Sequence, residues 1–255
     1  MTVIAVSGSA GGIGSALRAV LQREGARVIG IDLRDAEVIA DLGSEAGRVH
    51  ALAEAARLSQ GRLDGLVCAA GVGGTVRPPA RMVAVNYFGA LALMDGLLPL
   101  LREGERPAAV AVASVSATSG PWRGHPVEAA CLDGDEALAC RLADAAGNPY
   151  AGYGCSKRAL AVRVRRLARE WGAAGVRLNA VAPGPADTAL HRAALEDPVL
   201  GERTRAFVPP LGVTAQPVEI ARVIQFLLSP AASFVHGSVW FADGGCDAAL
   251  RPDLF

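Results

Sequence analysis

The chain has 255 residues, 51% of them hydrophobic and 20% charged, which suits one α/β domain with a large core and excludes disorder. Its 25 basic and 25 acidic side chains balance, so no net field draws it to nucleic acid or to an anionic membrane surface. No unbroken apolar run approaches the ~20 residues that span a bilayer, and five scattered cysteines without metal-ligand spacing fit thiols in a reducing cytoplasm, with no metal bound.

Strands and helices alternate along the chain. Val3–Ser7 is a short apolar run that ends in glycines. It lacks the basic flank and cleavage site of a signal peptide, so it reads as a first buried strand. Ile13, Leu17, Val20 and Leu21 recur at helical spacing over residues 13–23. A strand over Arg27–Asp32, a helix over 46–59 and a strand over 65–69 follow. Residues 83–101 predict a long helix interrupted near Pro99, and 107–114 a strand. An Arg-rich amphipathic helix covers 159–171. Strands at 176–181 and 238–241 flank a helix over Pro217–Leu228. Apolar strands separated by amphipathic helices indicate a parallel sheet covered on both faces. The expected architecture is therefore a Rossmann-type, doubly wound, predominantly parallel sheet in a single domain over residues 1–255. Its ligands should lie beyond the carboxyl ends of the strands. Two excursions, 120–151 with a helical piece over 126–146, and 187–212, are long enough to form binding walls or a lid.

Ser7-Gly8-Ser9-Ala10-Gly11-Gly12-Ile13-Gly14 joins the first strand to the first helix. Glycines let backbone approach a pyrophosphate, and the helix N-terminus offers free N–H groups to it. Gly8, Ser9, Gly12, Ile13 and Gly14 are the candidate contacts. Asp32, ending the second strand, is placed to accept both ribose hydroxyls and to repel a 2′-phosphate, which favours NAD over NADP. Arg34 nearby could neutralise such a phosphate. Asp41 and Leu42, with Ala70 and Gly71 of Cys68-Ala69-Ala70-Gly71, fall on the adenine side.

Tyr153 and Lys157 stand at i and i+4, on one face of a helix. A tyrosine with a pKa near 10 is a poor base at neutrality, and an adjacent ammonium lowers that value. Ser114 closes an Ala-Val-Ala strand and can hold a substrate oxygen while Tyr153 moves its proton. Ser116 and Ser119 are the competing serines.

The glycine turn, Asp32, Cys-Ala-Ala-Gly, Asn86, Ser114, Tyr153, Lys157 and Pro183-Gly184 occur in this order along nearly the whole chain. That ordered set resembles the short-chain dehydrogenase/reductase family. The resemblance implies a hydride transfer between NAD(H) and a secondary alcohol or ketone. It implies that Asn86 holds a water in a proton relay with Lys157, that Lys157 also binds the nicotinamide ribose, and that Pro183, Gly184 and Thr188 contact the nicotinamide end. Two departures stand out: the usual Asn-Asn-Ala-Gly is Cys-Ala-Ala-Gly here, and Ser114 lies unusually far from Tyr153. The stretch Val85–Gly89 of the sequence, the insertion before Tyr153, residues 174–179, Phe-Val-Pro-Pro at 207–210 and Asp-Gly-Gly at 243–245 are similar to the bacterial hydroxysteroid dehydrogenase/carbonyl reductase branch of the family. Coniferyl-type aromatic or alicyclic alcohols are alternative substrates, and a non-catalytic NAD(H)-binding regulator is the alternative of another class. An apolar substrate would meet Pro121, Trp122, Leu190, Leu195, Phe207 and Val208, under a lid over 188–209. His191 reads as solvent-facing lid polarity. Relatives imply a homodimer, with a tetramer as the other possibility.

Overall fold

The computed structural model describes residues 1–148 and 150–254; Pro149, inside the first excursion, lies outside the described residues. Five-residue β1 (Val3–Ser7) is buried at four of its positions, as a strand covered on both faces must be. It leads through the glycine turn into α1 (Gly12–Arg23), then β2 (Arg27–Asp32), β3 (Val38–Ile39), α2 (Glu45–Ser59) and β4 (Gly65–Cys68). A continuous helical stretch follows as α3 (Ala80–Val83), a wide π turn (Ala84–Gly89) and α4 (Ala90–Arg102). After β5 (Ala108–Val112) and a 3-10 turn at Val115–Ala117 come α5 (Pro126–Asp133), α6 (Glu136–Ala145), α7 (Ala151–Ala173) and β6 (Arg177–Pro183). The chain continues through α8 (Ala189–Glu196), α9 (Gly201–Ala206), α10 (Pro217–Leu228), β7 (Val239–Ala242) and α11 (Cys246–Leu250).

The seven strands are all parallel, in the order β3-β2-β1-β4-β5-β6-β7. The order reverses at β1, so the crossovers leave on opposite faces and a crevice opens beyond the ends of β1 and β4. One apolar layer packs α2, α4 and α7 on one face of the sheet, and a second packs α1 and α10 on the other.

Several expectations shift. The predicted helix over 159–171 starts earlier, so Tyr153 and Lys157 lie in the first turns of α7. Pro99 does not interrupt its helix. It forfeits one main-chain hydrogen bond, but burial of Leu93, Met94, Leu97 and Leu101 along the same helix outweighs that loss. The irregularity lies upstream, in the π turn that carries Asn86. The helical piece 126–146 is two helices, broken where Gly134 adopts φ +81°. The stretch Ala80–Arg102 is also long and apolar enough to cross a membrane, with mean hydropathy 1.5, although most of it is buried inside the fold. Asn86 and Asp95 interrupt its apolar run, which hides that length in the sequence.

The first excursion is tied down along α6. Arg48 of α2 donates to both carboxylate oxygens of Glu136 in α6, at 2.7 and 2.5 Å, and to the carbonyls of Leu42 (2.7 Å) and Ala84 (3.1 Å). Asp144 accepts the Ala80 N–H at 2.7 Å. Trp122 is fully buried, and its indole lies where a Cβ on Gly154 would fall, 2.3 Å from that position. We therefore expect Gly154→Ala to cost about 1–3 kcal/mol by overpacking. Thermal unfolding should show a Tm lowered by several degrees, and an unchanged Tm would contradict this packing.

Candidate active site

The crevice holds two adjoining cavities that share Ala69 and Gly71. The outer one is rimmed by Gly8, Asp32, Asp41, Leu42, Ala70 and Gly71, with Arg34 and Arg81 beside them. Gly8 turns the chain at φ +69°, and a Cβ there would fall 2.6–2.7 Å from the backbone of Ala69 and Ala70, so only glycine brings these two strand ends together. The helix α1 that follows has no side-chain cap on its first N–H groups, which leaves them available to an anion. Asp32 accepts from the N–H groups of Ala10 (2.9 Å) and Leu33 (2.7 Å), joining the glycine turn to the end of β2 while its remaining lone pairs face the cavity rim. Arg81 grips Asp41 through two bonds, at 2.7 and 2.9 Å, and holds its carboxyl below the usual carboxylate value. A glycine cradle, an uncapped helix end and a carboxylate at the rim together fit a dinucleotide.

Three glycine-turn residues line neither cavity. Ser9 is buried beneath β2, facing Gly30, and its hydroxyl has no partner among the described residues. Gly14 packs against the Gly8 carbonyl, and Gly12 faces the Thr188 side chain. All three shape the turn rather than line either cavity.

The inner cavity collects Ile13, Gly71, Ser114, Tyr153, Lys157, Pro183, Gly184 and Thr188. Thr188 caps α8 by accepting the His191 N–H at 3.2 Å. Ser114 lies two residues past β5, in extended backbone, and its hydroxyl oxygen accepts the Ser116 N–H at 3.1 Å. That bond occupies a lone pair and leaves the Ser114 proton for Tyr153 or a substrate oxygen. Lys157 is buried and donates to the Val112 carbonyl at 2.7 Å. Burial lowers its pKa to about 8, with Cys68 opposing. Tyr153 moves the other way. Burial pushes its phenol up from the ordinary value, Tyr150 adds to the shift, and the hydrogen bond with Ser114 opposes it. Burial dominates the Tyr153 shift, and the Lys157 ammonium four residues on donates to the Val112 carbonyl.

Asn86 is completely buried and lines neither cavity. Its amide grips one residue from both sides and reaches a second: Oδ1 accepts from Val72 N–H at 2.8 Å, and Nδ2 donates to the Val72 carbonyl at 3.0 Å and to Ser156 Oγ at 3.4 Å. A Cβ built on Gly71 would fall 3.2 Å from Asn86 Oδ1 and 3.4 Å from Lys157 Nζ, so both groups converge on Gly71. The Asn86 side chain is thus a clasp on the chain beyond β4.

Of the apolar residues expected around a substrate, Leu190 and Phe207 line the inner cavity. Pro121, Trp122, Leu195 and Val208 do not; Trp122 lies behind the wall, and Val208 is 63% exposed. His191, expected to face solvent, lines the cavity, and burial lowers its pKa. Tyr150, Arg203, Leu200 and Thr204 also line it. No motif marks them, because they meet only when α8 and α9 fold over the carboxyl edge of the sheet.

The chain belongs to the short-chain dehydrogenase/reductase family and is an oxidoreductase. Residues 2–126 match the family described as short chain dehydrogenase, and residues 136–247 the one described as Enoyl-(Acyl carrier protein) reductase. The chain is 48% identical, over the full length of both proteins, to 3-alpha-hydroxysteroid dehydrogenase/carbonyl reductase of Comamonas testosteroni. It is 31% identical to galactitol 2-dehydrogenase of Cereibacter sphaeroides, over 94% of this chain and 93% of that one. Its fold superposes with a TM-score of 0.98 on the crystal structure of 3-alpha-hydroxysteroid dehydrogenase from Pseudomonas sp. B-0831 complexed with NADH, at 49% identity and 100% coverage of both chains.

The raised Tyr153 pKa sets a direction for pH dependence. Across the neutral range the phenol is protonated, the form that gives a proton to a carbonyl oxygen, whereas alcohol oxidation needs the phenolate. Between about pH 6 and pH 7, below the Lys157 pKa of about 8, kcat/KM for ketone reduction should stay nearly level and that for alcohol oxidation should climb up to about tenfold per unit. A level oxidative profile would contradict the assignment of Tyr153 as the base.

Proposed function

We propose that this protein is an NAD(H)-dependent 3α-hydroxysteroid dehydrogenase/carbonyl reductase, acting on a secondary alcohol or ketone carried on an apolar skeleton. The observation that supports this most directly is the convergence of Ser114, Tyr153 and Lys157 beneath a cavity walled by Leu190, Leu200 and Phe207, next to a rim suited to a dinucleotide. Full-length likeness to two hydroxysteroid dehydrogenases agrees with it.

When bound, the nicotinamide supplies or accepts the hydride. The chain's own residues handle the oxygen. In reduction, the Ser114 hydroxyl donates to the carbonyl oxygen and holds it beside Tyr153, and Tyr153 transfers its phenolic proton to that oxygen as the carbon gains hydride. The resulting phenolate regains its proton before the next turnover, and Lys157, anchored on the Val112 carbonyl, lines the same cavity. Asn86 keeps the chain at Gly71–Val72 in place against Lys157, and Pro183, Gly184 and Thr188 close the nicotinamide end. Asp32 favours NAD(H), since a 2′-phosphate beside its carboxylate would add like-charge repulsion.

Tyr153→Phe is expected to lower kcat for ketone reduction with NADH by about a thousandfold, with NADH binding retained in a fluorescence titration. Wild-type turnover by this variant would refute the proton-transfer role. A preference of the wild-type enzyme for NADPH would refute the role of Asp32.

We further propose a homodimer joined across the free edge of β7. Trp240 and Phe241 on that strand are each 37% exposed, and Phe226 stacks on Trp240 at 5.4 Å. The helices α4 and α7 are less available, because α5 packs along α7 and α6 against the π turn. Sedimentation should give twice the 26.1 kDa chain mass, and Trp240→Glu should return it to one chain. A wild-type monomer would overturn this assembly.

A further inference from the structure

Ser116 is restrained at three points. Its N–H donates to Ser114 Oγ, its carbonyl accepts from Trp122 Nε1 at 2.7 Å, and its hydroxyl pairs closely with the Tyr150 hydroxyl. Trp122 and Tyr150 both come from the excursion between β5 and α7. Tyr150 lines the inner cavity, its ring centroid 5.5 Å from that of Tyr153 and 6.1 Å from that of Trp122, with the Arg203 guanidinium 5.1 Å from its centre.

Two physical consequences follow. The Ser114 proton points toward the reacting oxygen only while the Ser116 N–H holds the other side of that hydroxyl. The N–H belongs to a 3-10 turn of three residues, Val115–Ala117, closed by two main-chain bonds of 3.0 Å from Ala117 to Ser114 and from Thr118 to Val115; neither bond involves the Ser116 peptide groups or hydroxyl. The bonds from Trp122 and Tyr150 restrain Ser116 itself. The second consequence concerns competition. Ser116 lines the same cavity as Ser114, and an unengaged hydroxyl there would offer the substrate oxygen a second donor, displaced from Tyr153. Either hydroxyl of the Ser116–Tyr150 pair can be the donor; with Ser116 donating, its proton is spent on Tyr150 and only Ser114 offers one to the substrate oxygen.

We propose that Tyr150 is a positioning residue for Ser114, acting through the Ser116 hydroxyl, and that Ser116 is the donor of that pair, which leaves one serine rather than two available to the substrate oxygen. This rests on the reading of Ser114 as the group that holds that oxygen.

Tyr150→Phe keeps the ring and deletes only the hydroxyl. Its kcat for ketone reduction should fall about tenfold, the scale of one well-placed hydrogen bond. NADH affinity and Tm should stay at their wild-type values, and the kinetic isotope effect on kcat with 4-deuterated NADH should rise as hydride transfer becomes slower. Ser116→Ala should cause a similar loss. The double variant should lose no more than either single one, because both remove the same bond. Wild-type kcat in Tyr150→Phe, or losses that multiply in the double variant, would overturn the proposal. Ser114→Ala separates the two readings. If it leaves kcat intact, the underlying assignment of Ser114 fails. If it lowers kcat about a hundredfold while Tyr150→Phe does not, the positioning role alone fails.

Discussion

Seven parallel strands end on a single edge, and at β1 the winding changes face. Helices can cover both faces of such a sheet, but no crossover fills the gap where the two windings part. The crevice is therefore a product of the strand order before any particular side chain is chosen. Asp32 ends β2, Cys68 ends β4, Ser114 follows β5 and Pro183 ends β6, so residues far apart in the chain arrive at that opening together. Lys157 and Tyr153 reach it from the start of α7, whose amino end is held at the same edge by packing against the 3-10 turn.

Within the crevice, dryness and hydrogen-bond allocation settle the chemistry more than charge pairing does. Burial moves Lys157 and Tyr153 toward their neutral forms, the opposite of the mutual stabilisation that a lysine four residues from a tyrosine suggests in isolation. What distinguishes one hydroxyl from another is which of its lone pairs and protons are already committed. Ser114 has accepted one bond and keeps its proton; Ser116 is engaged at its nitrogen, carbonyl and hydroxyl. The same accounting separates Asn86, whose amide is taken up by Val72, from the side chains that remain free to face a ligand.

Much of this could be read from the sequence, for identifiable reasons. Short apolar runs such as Val3–Val6 and Val28–Ile31, each bounded by turn residues, read as strands buried on both faces, and Tyr153 with Lys157 share a helix face at any register. The two-residue strand β3 was hidden because it is too short for a periodic signal. The π turn was hidden because nothing in Ala-Val-Asn-Tyr-Phe-Gly departs from ordinary helical spacing; it is visible only in the backbone. The cavity wall was partly misassigned for another reason. Trp122 and Leu195 have the composition of pocket residues, yet burial and helix register turn one behind the wall and the other away. His191 looks like surface polarity, and Tyr150 and Arg203 carry no signal, until α8 and α9 fold over the sheet edge and bring all three to the cavity wall.

The bidentate link from Arg48 to Glu136 gives the excursion a reach beyond the pocket it borders. Because the same guanidinium also holds the Leu42 carbonyl at the rim of the outer cavity and the Ala84 carbonyl at the start of the π turn, the inserted helices are not an exchangeable module. A segment grafted in their place without a partner for Arg48 would leave that guanidinium half engaged, so a redesign of the inserted wall must carry the Arg48 anchor with it.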